Sequence, residues 1–150
     1  MKKITLTILF LVLSLVYCMS GAKALPSEYE GDMIIVALAG QSNASGRGTL
    51  SSNRPTDPLM WIFGDDYHWY PGREPSDKKG TYRVDVVNWD SGAGYSAGYS
   101  IAEHIHLHYP GQPVGIVNCA KGATSITQWR PSREENTLFG ACMKKISAVS

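Results

Sequence analysis

The sequence predicts an α/β fold built on a mainly parallel sheet, and three observations predict it. Two apolar runs, Met33 to Ala39 (MIIVALA) and Pro113 to Ala120 (PVGIVNCA), have the look of strands covered on both faces. Between them lies a stretch with apolar residues at helical spacing, and a second such stretch follows the later run. Strand and helix in alternation give a layered sheet with right-handed crossovers, in which each helix is covered by a following parallel strand. The last helix has no such strand after it, so the sheet reads as unfinished at its C-terminal side. A marginal, aggregation-prone product is the expectation for these residues alone.

The first residues read as an export signal. Lys2 and Lys3 precede a run from Ile4 to Val16 that is apolar apart from two Thr and one Ser, and that is short for a membrane span. Ala22-Lys23-Ala24 has the small-x-small pattern of a cleavage site, which places the mature start at Leu25 and the protein in the periplasm or outside the cell. Cys18 follows the bulky Tyr17 rather than a small residue, which favours soluble export over a lipid anchor.

Loss of Lys2, Lys3 and Lys23 leaves 11 basic against 13 acidic residues, a net charge of −2 in place of +1. Such a balance gives no footprint for nucleic acid, and no lasting membrane association is expected after cleavage. Residues 25 to 150 suffice for one small core. Cys119 and Cys142 are expected as two buried thiols, one on a strand and one on a helix face, with pairing in an oxidising compartment left open.

Taken in order, Met33 to Ala39 is the first, central strand, stopped by Gly40. Residues 40 to 58 are rich in Gly, Ser, Asn and Pro and form a functional loop. Leu59 to Phe63 is a short strand, Asp65 to Thr81 an aperiodic loop, and Tyr82 to Trp89 a weakly alternating edge strand. From Ala97 a helix carries Ile101, Ala102, Ile105 and Tyr109 inward and closes at Pro110-Gly111. After the second strand, Asn136 caps a last helix whose stripe is Leu138, Phe139, Cys142, Met143, Ile146 and Val149.

The residues able to carry chemistry gather after the first strand. Gly40-Gln41-Ser42-Asn43 stands at a carboxyl end of the sheet, where open α/β folds place their ligands, and Gly40 lets the chain turn so that Ser42 is exposed near backbone donors. An ordinary turn has the same composition. A second serine competes: Gly94-Tyr95-Ser96-Ala97-Gly98 matches the G-x-S-x-G elbow of α/β-hydrolases, though no apolar strand runs directly into it. Gly92, Gly94 and Gly98 also imitate a dinucleotide fingerprint, but the next strand does not end in an acidic residue. His104 and His108 share a helix face, which reads as solvated surface, since no further ligand completes a metal site. No cofactor or metal is expected, and none of His68, His104, His106 and His108 is given a catalytic role. Trp129 and Arg130 suit a sugar ring and a carboxylate, or equally helix packing and solvent.

Residues 38 to 48 (LAGQSNASGRG) resemble the nucleophile block of the sialate O-acetylesterase-like carbohydrate esterases of the SGNH-hydrolase superfamily, whose usual form is AGQSN-Met-Ala-GRG; Ala44 and Ser45 depart from it. Gly94 to Ala102 (GYSAGYSIA) resembles that family's GVGPGLSFA, and Pro113 to Trp129 resembles PVGLINxxxGGTxIxxW, with Ala123 in place of a Gly. Trp61 to Pro75 shares the family's short strand, Trp and Glu-Pro. The resemblance implies a flavodoxin-like three-layer fold and hydrolysis of acetyl esters on sialic acid or other glycans. It makes Ser42 the nucleophile, supported by Gly40, Gln41 and Asn43, with the oxyanion held by backbone N–H groups of Ser42 and of Gly94, Ser96 or Gly98. The family carries its base near the C-terminus in an Asp-x-x-His block, after a Trp-x-Gln-Gly-Glu block, and neither follows the last helix here. The fragment alone is therefore expected to be inactive. The alternatives are a non-catalytic carbohydrate-binding or residual domain and an α/β-hydrolase esterase using Ser96.

Overall fold

A computed structural model describes residues 32–50, 57–76 and 93–149. The expected signal segment with its cleavage site and the expected strand Tyr82 to Trp89 lie outside these residues.

Four strands form one sheet in the order β1 (Ile34–Leu38), β4 (Val114–Asn118), β2 (Asp57–Phe63), β3 (Trp69–Gly72). β1, β4 and β2 run parallel, with Val36 opposite Ile116 and Ile116 opposite Ile62. β3 returns antiparallel on β2, so the sheet is mixed. The α/β class is as the sequence predicts, but the position of the first strand is not. Among the described residues β1 lies at the edge of this sheet with Ile34 and Ala37 exposed, and the fully buried interior strand is β4. Both apolar runs read alike because composition records the hydrophobicity of a strand and not the number of its neighbours.

β3 was hidden in what reads as a loop. Trp69-Tyr70-Pro71-Gly72 has no alternation and carries a proline, which a strand tolerates at a sheet edge, where no donor is required on the outer side. β2 begins at Asp57, two residues before the expected start.

Alternation along the strands sends side chains to two faces. Met60, Ile62, Val114 and Ile116 pack with Tyr99 and Ala102 of α2 (Ala97–His108). Phe63, Val117 and Cys119 pack with Ala141 and Cys142 of α3 (Leu138–Ser147). The inward face of α2 is Gly98, Tyr99 and Ala102, with Ile105 half buried, whereas Ile101 and Tyr109 are exposed.

α3 is capped by Thr137, whose hydroxyl accepts the Gly140 N–H at 3.1 Å, and not by Asn136. Of its expected stripe only Met143 is exposed at 44%; Leu138, Phe139, Ile146 and Val149 are half buried. Two of its residues, Cys142 and Lys145, tie this helix to the sheet. Cys119 at the end of β4 forms a disulfide with Cys142, Cα to Cα 5.3 Å, which corrects the expectation of two free thiols. Lys145, buried to 1% exposure, donates from Nζ to Asp65 Oδ1 at 2.9 Å and to the Asn118 carbonyl at 2.8 Å.

The disulfide closes a segment of 23 residues, for which chain entropy gives a stabilisation of roughly 3 kcal/mol. Cys119→Ser with Cys142→Ser is expected to lower stability by about that amount, read as a drop in urea midpoint at unchanged slope. Equal midpoints for the oxidised protein and the double variant would exclude the constraint.

Candidate active site

Three strands point their carboxyl ends the same way, and the candidate site sits on that edge. Beyond Leu38 the chain turns at Gly40, where φ is +142°, into α1 (Ser42–Ser45), a single helical turn. One turn fixes several dihedrals for few hydrogen bonds and does not stand alone. Its orientation comes from outside. The Lys121 N–H donates to the Gly40 carbonyl at 2.9 Å, extending the β1–β4 ladder into the turn, and Asn118 Nδ2 donates to the Ala44 carbonyl at 3.2 Å. The Gly94 N–H donates to the Gly46 carbonyl at 3.1 Å, and Gly48 and Tyr95 form a two-bond antiparallel bridge.

This is where the glycines are needed. Gly46 has φ of +98°, and a Cβ there would stand 2.6 Å from the Gly94 and Tyr95 carbonyl oxygens, so the two glycine-bearing segments approach closely only without side chains.

Ser42 is half exposed, and its Oγ donates to Gln41 Oε1 at 3.1 Å. Asn43 is exposed beside it. Ser45, where the family block has Ala, is fully buried, and its hydroxyl has neighbours in the Ser42 carbonyl and Arg47 Nη1, both at 3.4 Å.

Ser96 is placed differently. It is 8% exposed, it caps α2 by accepting the Gly98 N–H at 3.1 Å, and its Oγ donates to Glu74 Oε1 at 2.7 Å. Ser76 Oγ lies 3.1 Å from it. A hydroxyl enclosed in this way does not present itself to an ester, which corrects the elbow reading; the sequence pattern cannot separate an elbow from a helix cap, because both use Ser between small residues. Of the oxyanion donors named from the sequence, the amides of Gly94 and Gly98 are thus engaged, one with Gly46 and the other with Ser96. Those of Ser42 and Ser96 remain among the described residues.

Next to Gln41 opens a cavity of about 430 Å³, walled by Ala39, Gly40 and Gln41 on one side and by Thr124, Ile126 and Trp129 on the other, with Phe139. The second wall is a 3-10 turn, Ile126–Trp129, closed by a capping box between Ser125 and Gln128. Trp129 donates from Nε1 to Thr124 Oγ1 at 3.0 Å, which fixes its ring, while Ile126 is 86% exposed. Arg130 is exposed and is not part of the wall. Ala123, where the family has Gly, takes φ of +60°; a residue with a Cβ carries about 1 kcal/mol of strain there, which is what the family glycine avoids.

The histidines stand apart from Ser42. His106 Nδ1 contacts Asp57 Oδ2 at 2.7 Å, joining the last turn of α2 to the start of β2 at the opposite end of the sheet. His104 and His108 are exposed and stack edge to face, centroids 4.7 Å apart. Among the described residues no three His, Cys, Asp or Glu form a metal cluster. His68 lies beyond β2 on the same edge as Ser42, and Asp65 to His68 has an Asp-x-x-His spacing that the sequence reading passed over. Asp65, however, faces Lys145, and His68 Nδ1 contacts the Asp66 carbonyl at 2.7 Å.

A family model described as carbohydrate esterase, sialic acid-specific acetylesterase, matches residues 32–150. No curated protein matches the chain. Among solved structures, a protein from Arabidopsis thaliana superposes with a TM-score of 0.57 at 21% identity, over 78% of this chain and 51% of its own. The chain spans about half the length of that protein, and the likeness is one of fold.

Proposed function

The chain belongs to the family of sialic acid-specific acetylesterases among the carbohydrate esterases, and from that premise we propose that it is the N-terminal part of an SGNH-type serine hydrolase that removes acetyl groups from sugars, with Ser42 as nucleophile. One observation carries this reading. The Ser42 hydroxyl stands at the carboxyl edge of the sheet on a turn held at both ends by backbone bonds, and its partner Gln41 lines a cavity with a fixed Trp on the far wall.

In the proposed reaction Ser42 Oγ attacks the acetyl carbonyl and the tetrahedral oxyanion forms against the Ser42 and Ser96 amides, each such donor being worth roughly 3 kcal/mol. The proton of Ser42 passes to a histidine that, by resemblance, belongs to an Asp-x-x-His block C-terminal to α3. Trp129 receives the apolar face of the sugar. Arg130 at the rim faces a carboxylate where the sugar is acidic. The disulfide between Cys119 and Cys142 suits an oxidising compartment and so supports an exported enzyme. The placement of α2 and α3 on opposite faces of the sheet supports the reading too, as a flavodoxin-like three-layer fold requires.

Trp129→Ala is expected to lower kcat/KM for an acetylated glycan by about tenfold, the loss of roughly 1.4 kcal/mol of ring contact, and to leave p-nitrophenyl acetate within about twofold, since that ester does not span the cavity. Acetate release measured on both substrates checks this. A non-catalytic carbohydrate-binding domain is the second reading, favoured by the distance of the described histidines from Ser42. Trp fluorescence that titrates with glycan while no acetate appears, in a protein carrying the C-terminal block, would establish it.

A further inference from the structure

We infer that Asn118 is the positioning residue for the Ser42 turn, acting as the hub of a buried polar network that joins that turn to α2 and α3. The inference deepens the proposal that Ser42 is the nucleophile and rests on it.

Asn118 is the last residue of β4 and is 1% exposed. Every polar group of its side chain has a partner. Nδ2 donates to the Ala44 carbonyl at 3.2 Å and to Ser76 Oγ at 3.1 Å, and Oδ1 accepts the Ala120 N–H at 2.9 Å. Its backbone carbonyl accepts Lys145 Nζ. An amide alone supplies two donors and an acceptor on one short stem; aspartate lacks the donors and serine the reach.

The bond to Ala44 is what bears on Ser42. α1 has three internal bonds, from the amides of Ala44 and Ser45 to the Gln41 carbonyl and from Gly46 to Ser42, and Gln41 provides no side-chain cap. The ladder fixes the entry at Gly40 and Gly94 fixes the exit at Gly46, leaving rotation about that axis, which would swing Ser42 Oγ, to be stopped by the Asn118 contact at Ala44. Asn118 is itself held on two sides. Ser76 accepts its second donor and lies against Ser96, while Glu74 takes the Ser96 hydroxyl on Oε1 and the Ser76 N–H on Oε2 at 2.6 Å. Lys145 grips the carbonyl from α3. Helices on both faces of the sheet therefore bear on one residue, α2 on its side chain through Ser76 and α3 on its backbone carbonyl.

The test is amide hydrogen exchange on the 150-residue chain, which reads local opening without requiring turnover. In Asn118→Asp the amides of Ser45 and Gly46 are expected to exchange about tenfold faster while those of Val36 and Ile116 in the ladder stay within about twofold. Ser76→Ala, which leaves β4 untouched, is expected to give the same localised pattern at about threefold and decides the matter if Asn118→Asp does not fold. In a protein with the complete triad, Ser76→Ala lowers kcat with KM unchanged. Uniform acceleration across ladder and turn would reduce Asn118 to a core residue and overturn the inference, as would unchanged α1 amides in Ser76→Ala. Localised opening combined with full activity of Ser42→Ala would leave the positioning intact and remove the nucleophile, so the two readings fail separately.

Discussion

In a protein that carries the complete triad, Ser42→Ala is expected to abolish all but a residual fraction of p-nitrophenyl acetate hydrolysis, whereas Ser96→Ala retains Ser42-dependent hydrolysis at a reduced rate. The difference follows from placement: Ser42 is half exposed and adjoins Gln41 on the cavity wall, and Ser96 Oγ is enclosed by Glu74, Ser76 and the Gly98 amide. The size of the loss depends on the base. Where an imidazole serves the hydroxyl, removing a triad member costs on the order of 10⁴ to 10⁶ in rate. The 150 residues as they stand are expected to fall short of triad turnover by a comparable factor, because the described histidines are committed elsewhere.

His106 is at the far end of the sheet with Asp57. His68 shares the edge with Ser42, but their strands are two positions apart, about 10 Å across the sheet. His68→Ala is accordingly expected to leave any residual Ser42-dependent rate unchanged. A dead Ser96→Ala beside an active Ser42→Ala would transfer the nucleophile to the α2 cap, and a rate lost with His68 would mean that the two loops converge on a working pair.

Lys145→Met is expected to destabilise the fold by about 3 to 5 kcal/mol, since it removes a buried cation that donates both to the Asp65 carboxylate and to the Asn118 carbonyl. The neighbouring Lys144 provides the contrast. It pairs with Glu135 at 2.6 Å, but both groups are about half exposed, and Lys144→Met is expected to cost at most about 1 kcal/mol. Replacing both buried partners, Lys145→Met with Asp65→Leu, is expected to recover most of the loss, because the desolvation cost disappears with the charges. Urea midpoints of the four proteins check the series. A Lys145→Met midpoint equal to that of Lys144→Met would show that the buried pair contributes nothing net.

Much of this arrangement is legible along the chain. The Gly40–Asn43 turn after an apolar run, the glycine block opening a helix at Ala97 and the strand Val114–Asn118 are local patterns, and each was placed within a residue or two. The family was legible too, from three ordered blocks, and the match over residues 32–150 agrees. Lys145 was not. A lysine one place beyond an apolar stripe reads as solvated, and only the packing of α3 on Asp65 turns it inward. The role of Ser96 escaped for a related reason, since its partners Glu74 and Ser76 are 22 and 20 residues away in the chain.

The sequence by itself determined the α/β class, the turn that presents Ser42 and the identity of the family, because these rest on periodicity and on residues adjacent in the chain. Only the tertiary structure decided that β4, and not β1, is an interior strand among the described residues, that Cys119 and Cys142 pair, that Ser96 caps a helix, that Asn118 braces the Ser42 turn and that Lys145 is buried against Asp65. Each of those depends on contacts between segments brought together by burial of the sheet's two faces, and burial is a property of the whole packed chain that no window of sequence contains.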